Sequence, residues 1–370
     1  MRKSSLPLLG LALALGLAGL ALQPGCIKRD LMAGEKPGPE GAAQPASATA
    51  QADVVVTATP EPTRTVGDTF YARGDFRHAI AYLREEVKKD PGNAHLWRHL
   101  GSAYGQFEDY NNAIYCYKRT LALNPTDLKT FYNLSLVYDF KGALPDAEQI
   151  ATKGLVMDGK DAELHASLGN ILADEDKDDK AMEHYKTALE LRPRDAVTRF
   201  NKGALHFKRR EFKEAEVEYR AVLTLSPKDM EAAENLSAIY ILENRLPDAE
   251  KLNRWVVQNA PKNEDKLENA YFNLGIILDR EEKISQALDM YKLALQVAPW
   301  DAAAYVNAAV ILERLSRTGE ALSYWEKYCR LFPASKRQAE ITKRIKLLKK
   351  MVDDESASGA KPKPLPTPRD

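Results

Sequence analysis

Histidine pairs are the first places where this sequence could bind a metal. Of its six histidines, only His95 and His99 stand four residues apart, the spacing that puts two side chains on one face of a helix. A zinc hydrolase also needs a glutamate beside the first histidine and a third ligand, and neither is present. We therefore expect solvated or packed histidines and predict no metal site.

The acidic stretch at residues 174–179 is the second candidate for metal chemistry. Its acidic residues alternate as at the start of a calcium-binding loop, but Asp179 occupies the position that requires glycine. Tyr185 stands where such a loop has its bidentate glutamate. We interpret the stretch as a solvated turn between helices.

Motifs for catalysis are missing from the sequence. It has no glycine-rich phosphate loop, no nucleophile elbow and no carboxylate pair in a recognisable site. Cys26, Cys116 and Cys329 are too few for a disulfide framework, and the last two are predicted to be small buried helix residues. The prediction is a protein that is not an enzyme, with no cofactor and no small-molecule substrate.

The charge of the chain excludes a further class of function. Its 53 basic residues balance 53 acidic residues, so the net charge is zero and the general electrostatic attraction to nucleic acid is absent. A mean hydropathy of −0.43 excludes a membrane protein with many spans. The composition is that of an ordinary soluble globular protein.

Polar side chains recur at one position of a long repeat, and these are the predicted binding residues. The series contains five asparagines among its seven members: His99, Asn133, Ser167, Asn201, Asn235, Asn273 and Asn307. An amide both donates and accepts hydrogen bonds, so a row of amides can bind the backbone of an extended peptide. The preceding position carries Tyr132, Phe200 and Phe272, which are either anchors for a partner or packing residues between repeats.

The polar series has the period of a block of 34 residues, and every block has an alanine at one fixed position. The recurring alanines are Ala79, Ala113, Ala147, Ala181, Ala215, Ala249, Ala287 and Ala321. Apolar residues recur at helical spacing in two segments of each block, as at Trp97, Leu100 and Tyr104. The pattern predicts eight helix-turn-helix repeats at 60–93, 94–127, 128–161, 162–195, 196–229, 230–263, 268–301 and 302–335.

The blocks resemble the tetratricopeptide repeat, most clearly at residues 96–104, 185–188 and 272–275. The resemblance implies an all-α, right-handed superhelical solenoid in which the first helix of each pair lines a concave groove. It also implies that the polar series lies in this groove, as in peptide-binding members, although asparagine is common here in members without a known peptide. Ser135 and Ser237 replace the usual glycine, and Arg199 replaces the usual aromatic residue.

The N-terminal segment, residues 1–25, is predicted to be an export signal. Arg2 and Lys3 precede an apolar run from Leu6 to Leu22, and Cys26 follows Gly25. This resembles a bacterial lipoprotein signal, which implies that Cys26 carries the lipid and anchors the protein on the periplasmic side of the outer membrane. The alternatives are an ordinary signal peptide cut near Ala21, which would give a soluble periplasmic protein, and an uncleaved anchor.

Three segments outside the repeats complete the predicted organisation. Residues 26–59 are rich in Ala and Pro and predict a disordered tether. Residues 336–355 predict a basic capping helix with an apolar stripe at Ile341, Ile345, Leu348 and Val352. Its basic face is interpreted as a solubilising surface or, alternatively, as a surface for anionic lipid or an acidic partner. Residues 356–370 predict a disordered tail.

These features predict a non-catalytic adaptor that binds a protein or an extended peptide in its groove. The chain looks like the tetratricopeptide lipoproteins that assist type IV pilus secretins or that dock peptidoglycan enzymes. The alternative function is a targeting or regulatory subunit of an enzyme complex, such as a glycosyltransferase. Nucleic acid is not an expected partner.

Overall fold

The computed structural model describes residues 65–260, 264–333, 335 and 337–358. The predicted signal, the tether, Cys26 and residues 359–370 lie outside these residues. The described residues form seventeen α-helices and no strand, which confirms the all-α prediction. They fall into two compact units whose boundary lies between Asn201 and Lys202.

The first unit contains eight complete helices and the start of a ninth. The helices are α1 Val66–Ala72, α2 Phe76–Lys89, α3 Ala94–Gln106, α4 Tyr110–Leu123, α5 Leu128–Phe140, α6 Leu144–Met157, α7 Ala162–Asp174, α8 Asp178–Leu191 and α9 Ala196–Lys208. From α1 to α8, each helix packs on its neighbour in the chain. Contacts between alternate helices join α3 to α5 and α5 to α7, so the first helices of consecutive repeats lie side by side.

The second unit contains the end of α9 and eight further helices. They are α10 Phe212–Leu225, α11 Met230–Leu242, α12 Leu246–Asn259, α13 Glu264–Arg280, α14 Ile284–Val297, α15 Ala302–Arg314, α16 Thr318–Leu331 and α17 Gln338–Ser358. Here too, the first helices of two consecutive repeats, α11 and α13, contact each other.

The recurring alanine lies at the centre of each helix pair. All eight of these alanines have no exposed surface. A side chain of one methyl group lets the two helices of a repeat approach closely, and a larger group would force them apart. The sequence interval of this alanine therefore corresponds to a repeated packing position.

A second close contact joins a glycine of the first helix to a tyrosine of the second. A Cβ atom added at Gly101, Gly169 or Gly275 would lie 2.6 to 2.8 Å from a ring carbon of the tyrosine sixteen residues later. The two serines that replace this glycine face smaller partners. Ala151 occupies the tyrosine position after Ser135, and Asn253 occupies it after Ser237 and donates a hydrogen bond to the serine hydroxyl. In these two pairs, a larger residue at the glycine position faces a smaller residue at the tyrosine position.

The turn inside each repeat uses one residue with a left-handed backbone. Two of the eight are glycines, Gly74 and Gly142, each with φ of 76°. The other six have φ between 57° and 62° and are Glu108, Asp176, Arg210, Asn244, Glu282 and Ser316. Asp176 belongs to the acidic stretch at 174–179, which spans the end of α7, this turn and the start of α8. Side chains with a Cβ atom are strained in this conformation, so the turn geometry is imposed by the packing of the two helices.

The last helix, α17, covers the final repeat of the second unit. Ile341 and Leu348 are buried against α15 and α16, and Ile345 packs beside them. Arg344 donates hydrogen bonds to the buried carboxylate of Glu313, which also accepts one from the indole Nε1 of Trp325 at 2.7 Å. The helix ends at Ser358, so the boundary predicted at residue 355 is too early and residues 356–358 are helical.

Candidate functional site

Most residues of the predicted polar series are buried. Asn133, Ser167, Asn201, Asn273 and Asn307 have at most 5% of their surface exposed. Asn235 and His99 are half-buried. A buried amide first has to satisfy its hydrogen bonds inside the protein, so these members offer a partner fewer groups than an exposed row of amides would.

Internal hydrogen bonds connect three of the five buried members of the series, Ser167, Asn201 and Asn273, to the neighbouring repeat. The Nδ2 atom of Asn201 donates to Oδ1 of Asn170 at 2.9 Å, and Nδ2 of Asn273 donates to Oδ1 of Asn253 at 3.3 Å. The hydroxyl of Ser167 lies 2.9 Å from that of Ser135. These contacts run between consecutive repeats, so the series contributes to the cohesion of each unit.

The first position of the series is hydrogen-bonded to a carboxylate. His99 on α3 contacts the carboxylate of Asp68 on α1 through Nδ1. Burial raises the pKa of Asp68, but the hydrogen bond and charge of His99, with the amide and hydroxyl of Thr65, lower it overall to about 2. The ring of His95 lies beside that of His99 with the two planes tilted by 44°, and no group of three potential metal ligands occurs among the described residues. His99 thus joins two repeats.

Three residues of the predicted site meet at a cavity in the first unit. The cavity has a volume of about 530 Å³ and lies between the first helices of three consecutive repeats, α5, α7 and α9. Its lining includes the predicted residues Tyr132, Ser167 and Asn201. It also includes Glu163, Asn170, Arg192, Arg194, Asp195, Val197 and Thr198, which the sequence analysis did not identify.

The polar groups of the cavity differ in the hydrogen bonds that they can still form with a bound partner. Oδ1 of Asn170 already accepts hydrogen bonds from Asn201 and from the hydroxyl of Tyr185, which leaves its Nδ2 as the available group. Asp195 accepts from two backbone amides and one hydroxyl at the start of α9. The acceptors of Asn170 and Asp195 are thus used internally, which leaves the Nδ2 group of Asn170 as a donor for an occupant.

Two arginines at the α8–α9 turn add further donors. Arg192 donates to Glu163 at 2.8 Å through one terminal nitrogen and keeps its other N–H groups. Arg194 is exposed at the rim of the cavity. The cavity can therefore hold carbonyl or carboxylate oxygens of a bound chain.

The predicted aromatic anchors take two different roles. Tyr132 lines the cavity although only 7% of its surface is exposed. Phe200 is 2% exposed, and Phe272 packs its ring edge against Tyr291 with centroids 5.6 Å apart. Phe200 and Phe272 are therefore better described as packing residues than as anchors for a partner.

A histidine pair that the sequence analysis missed lies between α7 and α8. Nε2 of His165 lies 3.1 Å from the carbonyl oxygen of Gly159 and donates to it, which leaves Nδ1 to accept from Nδ1 of His184 at 2.9 Å. Burial, together with the nearby His165, lowers the pKa of His184. The nineteen-residue separation hid this pair, because only the folded repeat brings the two rings together.

Family comparisons agree with the repeated helix pairs. Patterns of the tetratricopeptide repeat match residues 66–127, 200–264 and 272–336, and a related pattern of the same repeat matches 169–209. The matches cover more than half of the chain. The chain belongs to the tetratricopeptide repeat family.

Curated relatives share parts of the repeat array with this chain. The BBSome complex member BBS4 of Mus musculus is 27% identical over 149 residues, which are 40% of this chain and 29% of that protein. The Hsp70-Hsp90 organizing protein 3 of Arabidopsis thaliana is 27% identical over 128 residues, 35% of this chain and 23% of the relative. The chain thus spans less than a third of either relative.

Solved tetratricopeptide structures share the fold. The Cut9-Hcn1 hetero-tetramer of APC/C matches 76% of this chain and 56% of its own, with 16% identity and a TM-score of 0.53. The pilF protein of Pseudomonas aeruginosa matches 59% of this chain and 97% of its own, with 21% identity and a TM-score of 0.50. Both confirm the predicted superhelical repeat fold. Family membership supports a scaffold-type role in protein interaction.

Proposed function

We propose that this tetratricopeptide protein is a non-catalytic adaptor that binds a partner protein through the cavity between α5, α7 and α9. The observation that carries the proposal is the convergence of three predicted site residues on this cavity. Donors at Asn170, Arg192 and Arg194 suit the carbonyl and carboxylate oxygens of an extended segment.

The proposal differs from the peptide-binding row predicted from the sequence. Asn201 and Asn273 form hydrogen bonds to neighbouring repeats, and one local cavity offers contacts to the partner. The volume of about 530 Å³ suits a few residues of a bound segment rather than a whole domain. Further contacts on the rim would have to come from the rest of the partner.

The setting that we propose is the bacterial envelope, with a lipid on Cys26 as the anchor. The apolar run before Gly25-Cys26 supports this part of the proposal. Within the described residues, no helix has the length and apolar character needed to cross a membrane. The partner is then a component of an envelope assembly, of the pilus secretin or peptidoglycan-enzyme kind.

Site-specific photo-crosslinking in cells tests the cavity. A photoreactive amino acid replaces Val197, which lines the cavity, or Val156, which is 83% exposed on α6 of the same unit and serves as the matched control. We expect a discrete adduct with one protein from position 197 and none from position 156. Equal adducts from both positions, or adducts from 156 alone, would place partner binding elsewhere.

A further inference from the structure

The outer face of α17 carries a strip of lysines. Between Ile341 and Val352 the helix has five basic residues and no acidic residue. Three of them, Lys343, Lys346 and Lys350, recur at intervals of three and four residues and are exposed, so they share one face. These three residues are called the basic strip.

The packing of α17 fixes the direction of this strip. Ile341 and Leu348 are 2% and 0% exposed on the opposite face. The other two basic residues are paired, Arg344 with Glu313 and Lys349 with Glu326 at 2.9 Å. The helix cannot rotate its lysines inward without breaking these contacts.

The basic strip has no carboxylate partner among the described residues. Glu340, near the start of the helix, lies 3.6 Å from Arg337, and Asp353 and Asp354 follow the strip at its other end. The strip is therefore a local positive surface on a chain whose net charge is zero. Beside the lysines, Leu347 is 43% exposed, which puts an apolar group at the level of the charges.

We propose that the basic strip binds the surface of a membrane that contains anionic phospholipid. Lysine ammonium groups are attracted to anionic headgroups, and their apolar stems let them lie along the surface beside Leu347. The inference does not rest on the proposed partner cavity, which belongs to the other unit.

Two other classes of partner fit the strip less well. Recognition of bases uses arginine forks and stacked aromatic rings, and the exposed face between residues 342 and 350 has neither. An acidic protein would gain nothing from the exposed leucine at the centre of the charges. An anionic membrane uses both the lysines and the leucine.

The expected strength is moderate and requires close contact. Each lysine near an anionic surface increases affinity about fivefold, so three together give roughly a hundredfold increase. The Debye length of about 8 Å at physiological salt confines this attraction to lysines that approach the headgroups directly.

Lysine footprinting on the full chain tests the proposal. The protein is reconstituted with vesicles of phosphatidylcholine alone or of phosphatidylcholine with phosphatidylglycerol, and the acylation rate of each lysine is measured by mass spectrometry. Any membrane attachment of the N-terminal segment is present with both vesicles. Lys213, Lys228 and Lys251, exposed in the same unit, are the internal controls.

Anionic vesicles should slow acylation of the basic strip by about fivefold or more and leave the three control lysines unchanged. The Lys346→Gln variant should bind anionic vesicles about fivefold more weakly and so show weaker protection at Lys343 and Lys350, while Lys251→Gln should keep the protection unchanged. Equal rates with both vesicles, or equal slowing at the controls, would overturn the proposal. Protection by duplex DNA or polyglutamate but not by anionic vesicles would also overturn it.

Discussion

At the scale of single residues, the fourth position of each repeat shows how one role can be filled by different side chains. Trp97 donates from its indole to the carbonyl of Pro91 at 2.9 Å, and His165 donates to that of Gly159. Arg199 donates to the carbonyl of Pro193 at 2.8 Å. Arg199 replaces the usual aromatic residue because it supplies the same hydrogen bond to the preceding turn.

Burial of the asparagines gives a prediction that separates structural from exposed members of the series. Asn201→Ala removes a buried hydrogen bond and leaves Oδ1 of Asn170 with one donor fewer, so the free energy of unfolding should fall by about 1–3 kcal/mol. Asn235→Ala, at the same repeat position but half-buried, should change it by less than about 0.5 kcal/mol.

Chemical denaturation followed by circular dichroism measures both variants. Equal losses would mean that the hydrogen bond between Asn201 and Asn170 is not what distinguishes the two positions. If only Asn235→Ala lowered the free energy of unfolding, Asn235 rather than Asn201 would be the structural member of the series.

The sequence could predict the repeat but not the use of its polar residues. Period and residue size are local properties, so the eight alanines reveal their packing position directly. Whether an amide is hydrogen-bonded internally or available to a partner depends on the side chain that the next repeat places opposite it. Asn170 was not identified although it lies three residues after Ser167, on the same helix face, because its partners Asn201 and Tyr185 lie on other helices.

At the scale of helices and turns, the fold tolerates strain at one position of every repeat. Six of the eight turns place a residue with a Cβ atom at positive φ, although glycine would fit without strain. The fully buried alanines of the adjoining second helices show why the geometry is kept. Close packing of each helix pair determines the path of the turn.

Replacing such a residue with glycine should stabilise the protein. Glu282 is exposed with φ of 61°, and Glu282→Gly should raise the free energy of unfolding by about 0.5–1 kcal/mol. Glu282→Ala keeps the Cβ atom and should give no such gain. Denaturant titration compares the two variants, and an equal gain from alanine would show that the side chain, not the backbone, was unfavourable.

The capping helix provides a second prediction at this scale. Arg344→Met would leave the Glu313 carboxylate buried beside α17 with Trp325 as its remaining hydrogen-bond donor, so we expect a loss of about 3 kcal/mol. Lys349→Met breaks a more exposed pair with Glu326 and should cost less than about 1 kcal/mol.

Hydrogen exchange of the α17 amides is the measurement for these two variants. Faster exchange confined to Arg344→Met would show that the buried pair holds the cap in place. Similar exchange in both variants would show that Ile341 and Leu348 alone are sufficient to hold it.

At the scale of the whole molecule, each described unit is built mostly from contacts between elements adjacent in sequence. This is why the fold could be predicted from the sequence: a repeated short-range pattern specifies most of the contacts. The cavity could not be predicted in the same way. It combines side chains of three repeats with a turn whose Arg192 and Arg194 do not recur at that position in the other repeats.

Membrane attachment is the last property of the whole chain that can be tested, because two mechanisms with different salt dependence are proposed. A lipid on Cys26 would hold the protein through apolar burial, whereas the basic strip would hold it through charge. At about 1 M salt the Debye length falls to about 3 Å, which screens the strip but not the lipid. Washing membranes with concentrated salt therefore isolates the contribution of Cys26.

Cys26→Ala should release the protein from salt-washed membranes, and Cys329→Ala, the matched control, should leave it there. Immunoblotting of pellet and supernatant measures the distribution, and release should be nearly complete because one modified residue would supply the whole anchor. A Cys26→Ala protein that stays in the pellet would favour the uncleaved apolar segment at residues 6–22 as the anchor. A wild-type protein already found in the soluble fraction would favour an ordinary signal peptide. Since the cavity and the basic strip belong to different units, neither result would change the binding expected at the cavity.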